Sequence, residues 1–488
     1  MIPLTLAEVA SAVGGRLAGG ADPGTGVTGP VVVDSRQAAP GALFVALPGE
    51  RSDGHDHAPA AVAAGAVAVI AGRDVGVPAV LVDDPLAALG LLARSVVDRL
   101  PDLTVIGITG SSGKTSTKDL LAVLLADLGP TVAPAGSFNN EVGLPLTALR
   151  ADASTRYLIC EMGARRPGNI AYLCDITPPD VAVVLNVGLS HVGVFGGIEQ
   201  TAATKGELPA SLRPDGVAVL NVDDPRVRAM ADRTVGRVVT VGLSEQAQVR
   251  AERVETDGAA RASFRLRTPA GDVEVRLAVH GEHHVGNALS AVAVAVECGM
   301  APARAAELLG SAVASSRSRM DVRERADGVV VVNDAYNANP DSVRAALKAL
   351  AAMGRPQSRG PEDDGPRTWA VLGEMLELGD QSVTEHDALG RLAVRLDISR
   401  LVAVGEGARP IHQGASHEGS WGRESAWVPD APAALEMVRA QVRPGDVVLV
   451  KASRSIGLDV LAEALLADAP AGTSAGPTDV TQGEGAAC

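Results

Sequence analysis

Short apolar runs, each closed by Gly, Asn, Asp or a charged residue, alternate along the chain with stretches of helical spacing. Such alternation predicts buried strands separated by amphipathic helices. In the first hundred residues, Val31–Asp34, Leu43–Leu47, Val67–Ile70 and Ala79–Val82 read as short strands among Ala-rich helices. From 101 to about 314 the pattern becomes regular. Leu103–Thr109, Tyr157–Met162, Val181–Val187, Val217–Val222 and Val238–Val241 are predominantly apolar, as strands buried on both faces of a parallel sheet are. A β-meander is predicted at Val249–Val254, Ala262–Leu266 and Val273–Val279, then a long Ala/Val helix from about Val285 to Glu297. From about 316 to 466 the alternation resumes with strand Val329–Asn333, a helix from Asp341, strand Thr368–Leu372, helix Glu385–Leu396, and strands Leu401–Val404 and Val447–Val450. This predicts a second open α/β domain. Gly354–Arg367 reads as a mobile surface insertion and the residues after Asp468 as a disordered tail. The expected fold is α/β with domains at 1–100, 101–314 and 315–466 and a tail at 467–488.

Composition refines this picture. A chain of 488 residues exceeds what one core supports. Aromatic residues make up only 2%, so the cores must be aliphatic. The four cysteines (Cys160, Cys174, Cys298, Cys488) are scattered, with no Cys-x-x-Cys pair, which argues against a disulfide framework or zinc site and suits a reducing compartment. The N-terminal Met1–Thr5 has no basic region and no long uninterrupted apolar run exists, so neither secretion nor membrane spanning is expected. A net charge of −15 argues against nucleic acid as a partner. Among 38 arginines there are only five lysines: Lys114, Lys118, Lys205, Lys348 and Lys451. Coding bias explains the ratio, but not why most of the lysines stand beside motif-like residues, where an amine can do what a guanidinium cannot.

The most informative of these motifs is Gly107-Ile-Thr-Gly-Ser-Ser-Gly-Lys-Thr-Ser-Thr-Lys-Asp-Leu120, lying between a predicted strand and a predicted helix. It lacks the first glycine of a full P-loop, since Ile108 stands there, but keeps Gly110-x-x-Gly113-Lys114-Thr115. Backbone N–H groups in such a turn cradle phosphates, with Lys114 on the β- and γ-phosphates and Thr115 on Mg²⁺; a plain glycine-rich turn is the other reading. Glu161, ending the strand Tyr157–Cys160, is either a Mg²⁺ ligand or an acid facing water. His191, after the strand Val181–Leu185, is a metal ligand, a phosphate donor or a structural histidine. Lys205 by default is a solvated helix lysine. Asp334–Ser342 gathers Asp, Tyr and two Asn side chains before a Pro-initiated helix, a polar cluster that favours a ligand. Lys451 and Arg454 follow the last strand. In the first segment, Arg36 and His55 are the residues that turn chemistry leaves over.

Together these residues resemble the Mur ligases, and among them the branch that adds D-alanyl-D-alanine. The resemblance covers the chain to about residue 466 and rests on Thr109-Gly-Ser-Ser-Gly-Lys-Thr-Ser116, Phe138-Asn-Asn-Glu-Val-Gly-Leu-Pro145, Glu161-Met-Gly-Ala164, His191, Ala203-Thr-Lys-Gly206, Asn221-Val-Asp-Asp224, Gly281-Glu-His-His-Val-Gly-Asn-Ala288, Asp334-Ala-Tyr-Asn-Ala-Asn-Pro340, Leu372-Gly-Glu-Met-Leu-Glu-Leu-Gly379 and Lys451-Ala-Ser-Arg-Ser455. It implies an N-terminal UDP-sugar-binding domain, a central P-loop-type ATP-binding domain and a C-terminal Rossmann-like domain that closes over it. The implied reaction is ATP-dependent amide formation between the carboxylate of UDP-N-acetylmuramoyl-tripeptide and D-alanyl-D-alanine, through an acyl phosphate, in the cytoplasm and by a monomer. The implied ATP contacts are Gly110, Ser111, Ser112, Gly113, Lys114, Thr115, Ser116, Asn287, Asp334 and Asn337. Substrate contacts fall to Ser35, Arg36, Asn139 and Asn140. Two Mg²⁺ ions would be held by Thr115, Glu161, His191 and Lys205, with Lys205 carried as a carbamate and Lys114, Lys205 and His191 catalytic. The family often has His-Asn where this chain has His283-His284, which leaves open an adenine contact carried by that Asn. A folylpolyglutamate-synthase-like ligase and a non-catalytic nucleotide-binding regulator are the alternatives.

Overall fold

In a computed structural model, residues 1–49, 52–188, 197–313, 316–354, 366–419 and 424–467 are described. They form three successive α/β domains, each built on its own sheet. The first sheet has five strands in the order Arg16–Ala18, Ala79–Leu81, Ala68–Ala71, Leu43–Val45, Val31–Val32, parallel except for the first pair. The central sheet has nine, in the order Gly271–His280, Arg261–Thr268, Val249–Thr256, Arg237–Gly242, Val217–Asn221, Val181–Val184, Thr104–Thr109, Tyr157–Glu161, Thr131–Val132. Only the meander end is antiparallel. The third sheet has six strands: Asp321–Glu324, Val330–Asn333, Val447–Lys451, Thr368–Gly373, Arg400–Val404 and Ser425–Val428, again antiparallel only at its first pair.

The continuous apolar runs are central because both of their faces are covered. Val181–Val184 and Ala68–Ala71 are buried at every residue. Ile106, Ile108, Val183 and Val219 pack under the helices Lys114–Leu128 and His284–Glu297, and Val105, Cys160 and Val184 pack on the opposite face. The few aromatics fill cores: Trp369, Tyr157, Phe44 and Phe264 are among the largest fully buried side chains.

Sheet order sets where ligands can enter. The strand Thr104–Thr109 lies between Tyr157–Glu161 and Val181–Val184. The chain runs from it to the Thr131–Val132 edge, returns to Tyr157–Glu161 and then crosses to its other side, so the direction of winding reverses there and a crevice opens at the C-terminal ends. The third sheet places Val447–Lys451 between Val330–Asn333 and Thr368–Gly373, opening a second crevice.

Most predicted elements are present, with shifted ends. Val181–Val187 stops at Val184, because Asn186 turns aside to bond the P-loop (Ser112 N to Asn186 Oδ1, 2.9 Å). The helix predicted from Asp341 begins at Pro340, where Asn339 and Ser342 form a capping box. The strand Ser425–Val428 and the helices Arg409–Glu418, Ala431–Gln441 and Asp459–Ala467 were not legible, being short or weakly patterned. Most of the insertion predicted at Gly354–Arg367, and the tail after Asp468, lie outside the described residues.

One buried carboxylate ties the third domain together. Asp446 accepts hydrogen bonds from Trp369 Nε1 (3.0 Å), Arg367 Nη2 (2.6 Å) and Arg443 N (2.9 Å). Asp446→Ala leaves an indole N–H, a guanidinium and an amide without their acceptor and should cost about 2–4 kcal/mol. All three tryptophans of the chain (Trp369, Trp421, Trp427) lie in this segment. Urea unfolding followed by indole fluorescence therefore reads the loss selectively; an unchanged midpoint would contradict the account.

Candidate active site

At the end of Thr104–Thr109 the chain turns through Gly110–Gly113 into the helix Lys114–Leu128. Gly113 has φ 82°, and a Cβ there would lie 2.4 Å from Asn287 Oδ1, so only glycine lets the loop pass beneath Asn287. Asn186 holds the loop from the other side: its Oδ1 accepts from Ser112 N, and its Nδ2 donates to Ser112 O at 3.2 Å. Ser111 Oγ accepts from Gly188 N at 2.9 Å. Ser116 follows in the first turn of the helix and lines the same cavity.

Glu161 is almost fully buried at the strand end and is not an acid facing water. Its Oε2 accepts from Thr115 Oγ1 (2.9 Å), and its Oε1 accepts from Ser137 Oγ (2.6 Å) and Asn139 Nδ2 (2.8 Å). Asn139, anticipated as a substrate contact, thus sits on Glu161. Asn140 Oδ1 accepts from Gly143 N at 2.9 Å, opening the short helix Gly143–Ala148. Lys114 Nζ donates to Gly110 O at 2.7 Å. Burial holds the Lys114 ammonium below the ordinary lysine range, with Glu161 opposing and Arg319 adding to the shift.

Lys205 ends the helix Ile198–Lys205 and is 5% exposed, which overturns its default reading as a solvated lysine. It forms no ion pair among the described residues. Burial first, and the charge of Lys114 second, push its pKa down to about 7. His191 lies outside the described residues.

The third domain completes a cavity of about 980 Å³ over the P-loop, lined on that side by Arg319, Tyr336, Asn337, Leu376, Lys451 and Arg454. Asp334 does not present a free carboxylate. Lys451 Nζ pairs with its Oδ2 at 2.6 Å and also donates to Asn337 O at 3.0 Å, while Met320 N donates to Asp334 Oδ1 at 3.1 Å. Much of the polarity that suggested a ligand here is therefore satisfied within the protein. His283 lines the same cavity within electrostatic reach of this pair. The contact closest to domain closure is Asp341, whose Oδ2 lies where a Cβ on Gly188 would be, 2.1 Å from it.

Sequence reasoning missed Arg319. Its Nη2 donates to Thr115 Oγ1 at 3.3 Å and its guanidinium lies 4.1 Å from the centre of the Tyr336 ring, with Arg454 at 4.7 Å from the same ring. Both of its neighbours, Ser318 (φ 56°) and Met320 (φ 49°), are in the left-handed region. Two non-glycine departures flanking one arginine mark a backbone bent to aim that side chain. No local sequence pattern announces this.

Other predicted residues lie apart. Ser35 and Arg36 form a 3₁₀ turn in the first domain and do not line the cavity; Arg36 is exposed and pairs with Asp34 at 2.8 Å. His55 is structural: Nδ1 bonds Asp53 Oδ1 at 2.6 Å and Nε2 accepts from Gly72 N at 2.9 Å. Lys118 is structural too, pairing with Asp119 at 2.5 Å and donating to Ser316 Oγ at 3.1 Å.

The fold and this site define a P-loop α/β protein whose third domain covers the loop. Residues 108–295 match the Mur ligase middle domain, 318–454 the Mur ligase glutamate ligase domain, and 30–96 the Mur ligase family catalytic domain. The chain belongs to the Mur ligase family. It is 52% identical over 512 aligned residues to UDP-N-acetylmuramoyl-tripeptide–D-alanyl-D-alanine ligase of Mycobacterium leprae, covering 96% of this chain and 99% of that one. Crystalline MurF of Acinetobacter baumannii superposes with a TM-score of 0.84 at 32% identity, over 95% of this chain and 99% of the other. MurF of Thermotoga maritima in complex with ADP superposes with a TM-score of 0.76 at 30% identity, over 90% and 97% of the two chains.

Lys205 makes a prediction that needs no ligand. Its folded-state pKa of about 7 lies below the ordinary lysine value of 10.5, so between those values the unfolded chain binds the extra proton. Its contribution therefore makes stability rise with pH across that window. Replacing it, as in Lys205→Met, should flatten the stability-versus-pH curve from pH 7 upward in CO₂-free buffer. Parallel curves for the two proteins would show that the amine is protonated as usual.

Proposed function

We propose that this chain joins D-alanyl-D-alanine to the terminal carboxylate of UDP-N-acetylmuramoyl-tripeptide at the expense of ATP, forming ADP and phosphate, in peptidoglycan precursor synthesis. The tripeptide carboxylate attacks the γ-phosphate to give an acyl phosphate. The amine of D-alanyl-D-alanine then attacks the acyl carbon, and the tetrahedral intermediate expels phosphate. The observation that carries this reading is the buried lysine at the phosphate end of the cavity: Lys205, unpaired and close to neutral, opposite Lys114 and Thr115–Glu161.

Phosphoryl transfer depends on positioning and charge neutralisation more than on covalent help. The P-loop amides and Ser111, Ser112 and Ser116 orient the phosphates, and Lys114 and Arg319 offset their charge. Asn287 and Asn337, together with the Asp334–Lys451 pair, frame the nucleotide from above. Ser35 and Arg36 contact the UDP-sugar in the first domain, and Asn140 lies on the path of the peptide. In domain terms, 1–100 binds the UDP-sugar, 101–314 binds ATP and 315–466 closes as the ligase domain.

Thr115 and Glu161 are hard oxygen donors, which fit Mg²⁺. No group of three or more His, Cys, Asp or Glu is found among the described residues, so a second ion needs a ligand made from elsewhere. Lys205 fits that role: an amine near neutrality captures CO₂ as a carbamate, and an always-protonated arginine cannot. With His191 it would hold the second ion. Bound Mg²⁺ would add positive charge at the phosphates as they cross to the carboxylate. No helix among the described residues is long and apolar enough to cross a membrane, and a reaction consuming ATP and a UDP-linked precursor is a cytoplasmic one.

Phosphate release from ATP should require both UDP-N-acetylmuramoyl-tripeptide and D-alanyl-D-alanine. Equal release with D-alanine alone, or with pteroylglutamate, would sink the assignment, and ATP binding without release would favour a regulatory protein. Lys205→Ala should lose roughly a hundredfold or more in turnover, and added short carboxylic acids should restore part of it. Full activity in that variant would rule out the carbamate.

A further inference from the structure

Two arms of the chain run outward from Glu161 to the rim of the cavity. The first leaves the strand itself: Glu161 is followed through Gly163 and Ala164 to Arg165. The second starts at Asn139, which bonds Glu161, and runs through Asn140 to Glu141. Gly163 N donates to Asn139 O at 2.8 Å, so the arms are joined at their base. Asn169 joins them again at their tips. Its Oδ1 accepts from Arg165 N and Arg166 N, both at 3.1 Å, and its Nδ2 donates to Glu141 Oε1 at 3.2 Å.

Arg165 and Glu141 both line the cavity, one a cation and one an anion, yet neither forms an ion pair with the other or with any other described residue, and the Glu141 carboxylate has only the amide of Asn169 as a partner. Arg165 is exposed and Glu141 is half-buried. The scaffold under them is fixed, because the helices that follow, Gly143–Ala148 and Asn169–Ile176, both pack on the helix Pro85–Val97 of the first domain. Arg94 Nη1 donates to Asp175 O at 2.8 Å in the same interface. The rim is therefore where the cavity meets the domain assigned to the UDP-sugar. Any peptide carried from that domain to the phosphate site passes over it. Of the other cavity cations, Lys114, Lys205 and Arg319 surround the P-loop, Lys451 is paired with Asp334 and Arg454 lies over the Tyr336 ring on the third domain, so Arg165 is the cation on the rim beside the first domain that is open to a second anionic group on the acceptor.

We infer that Arg165 and Glu141 form a subsite for the side chain of the tripeptide's third residue, and that the subsite fits a side chain ending in both an ammonium and a carboxylate. This rests on the proposed function above. Arg165 pairs with the distal carboxylate and Glu141 with the distal ammonium, while Asn169 holds the two protein groups apart so that they do not neutralise one another. A 2,6-diaminopimelate residue has such an end. A lysine residue offers only the ammonium: it satisfies Glu141 and leaves Arg165 without a partner. Selectivity then comes from a charge-assisted bond made by one substrate and not by the other.

The test uses the full chain and three UDP-N-acetylmuramoyl-tripeptides whose third residue is meso-diaminopimelate, its distal monoamide, or L-lysine, with ATP and D-alanyl-D-alanine. The wild type should prefer the diaminopimelate peptide by roughly ten- to a hundredfold in kcat/KM over both others, as expected for loss of one charged hydrogen bond. Arg165→Ala should erase that preference by raising KM for the diaminopimelate peptide, with a far smaller effect on the lysine peptide. Glu141→Gln should weaken all three, since each keeps the ammonium. Equal kcat/KM for the three peptides in the wild type, or equal losses for all of them in Arg165→Ala, would overturn the subsite while leaving the ligase reading intact. Absence of D-alanyl-D-alanine-dependent phosphate release with every peptide would instead strike the proposed function.

Discussion

Glu161 brings one negative charge into a buried crevice to which Lys114, Lys205 and Arg319 bring positive ones, and the rest of the site is organised around that imbalance. The carboxylate is saturated by Thr115, Ser137 and Asn139, so it is fixed in place and does not collapse onto a lysine. Burial of unbalanced positive charge is costly. The chain meets that cost by letting Lys205 approach neutrality and by holding Lys114 below its ordinary range. The P-loop end of the pocket, where Lys114, Lys205 and Arg319 surround one carboxylate, is in this way preorganised for the anionic phosphates it would receive.

Closure of the third domain is held by contacts of a different kind. The linker is pinned to the P-loop helix through the buried Lys118–Asp119 pair, whose aspartate accepts from Ser316 N and Oγ, both at 3.1 Å. Three residues later Arg319 is thrown onto Thr115 by backbone in the left-handed region on both sides. Beyond it, Met320 N bonds the Asp334 carboxylate that also holds Lys451. Buried pairs of this sort contribute more to a unique arrangement than to stability. Here they run in sequence from the P-loop helix to the third sheet, so the position of the upper domain and the aim of Arg319 are set together.

The scarcity of lysine looks different with the structure in hand. Lys114 and Lys205 face the phosphate end of the cavity, Lys118 and Lys451 are buried in ion pairs, and Lys348 is exposed. Four of the five therefore occupy positions where a compact ammonium fits and a guanidinium fork would not. Lys118 is structural and Lys451 is held by Asp334 at the cavity wall, distinctions that the count of lysines could not make.

The sequence by itself determined what depends on near neighbours: the buried strands from their unbroken apolar runs, the phosphate-type turn from Gly110, Gly113, Lys114 and Thr115, and the capped start of the helix at Pro340. Its resemblance to Mur ligases also brought forward Glu161 and Lys205, although the residues alone left the first between a metal ligand and an acid facing water and read the second as solvated. Only the tertiary structure decided the electrostatic state of these groups. Lys205 is near neutral because distant segments exclude water from it, and Arg319 is recognisable only from its contact with Thr115, 204 residues away in the chain. Asp334 and Lys451, polar residues that looked available for ligands, pair with each other across 117 residues, which no local pattern reveals. Desolvation and the identity of a polar group's partner are properties of packing between remote segments, and a one-dimensional pattern does not carry them.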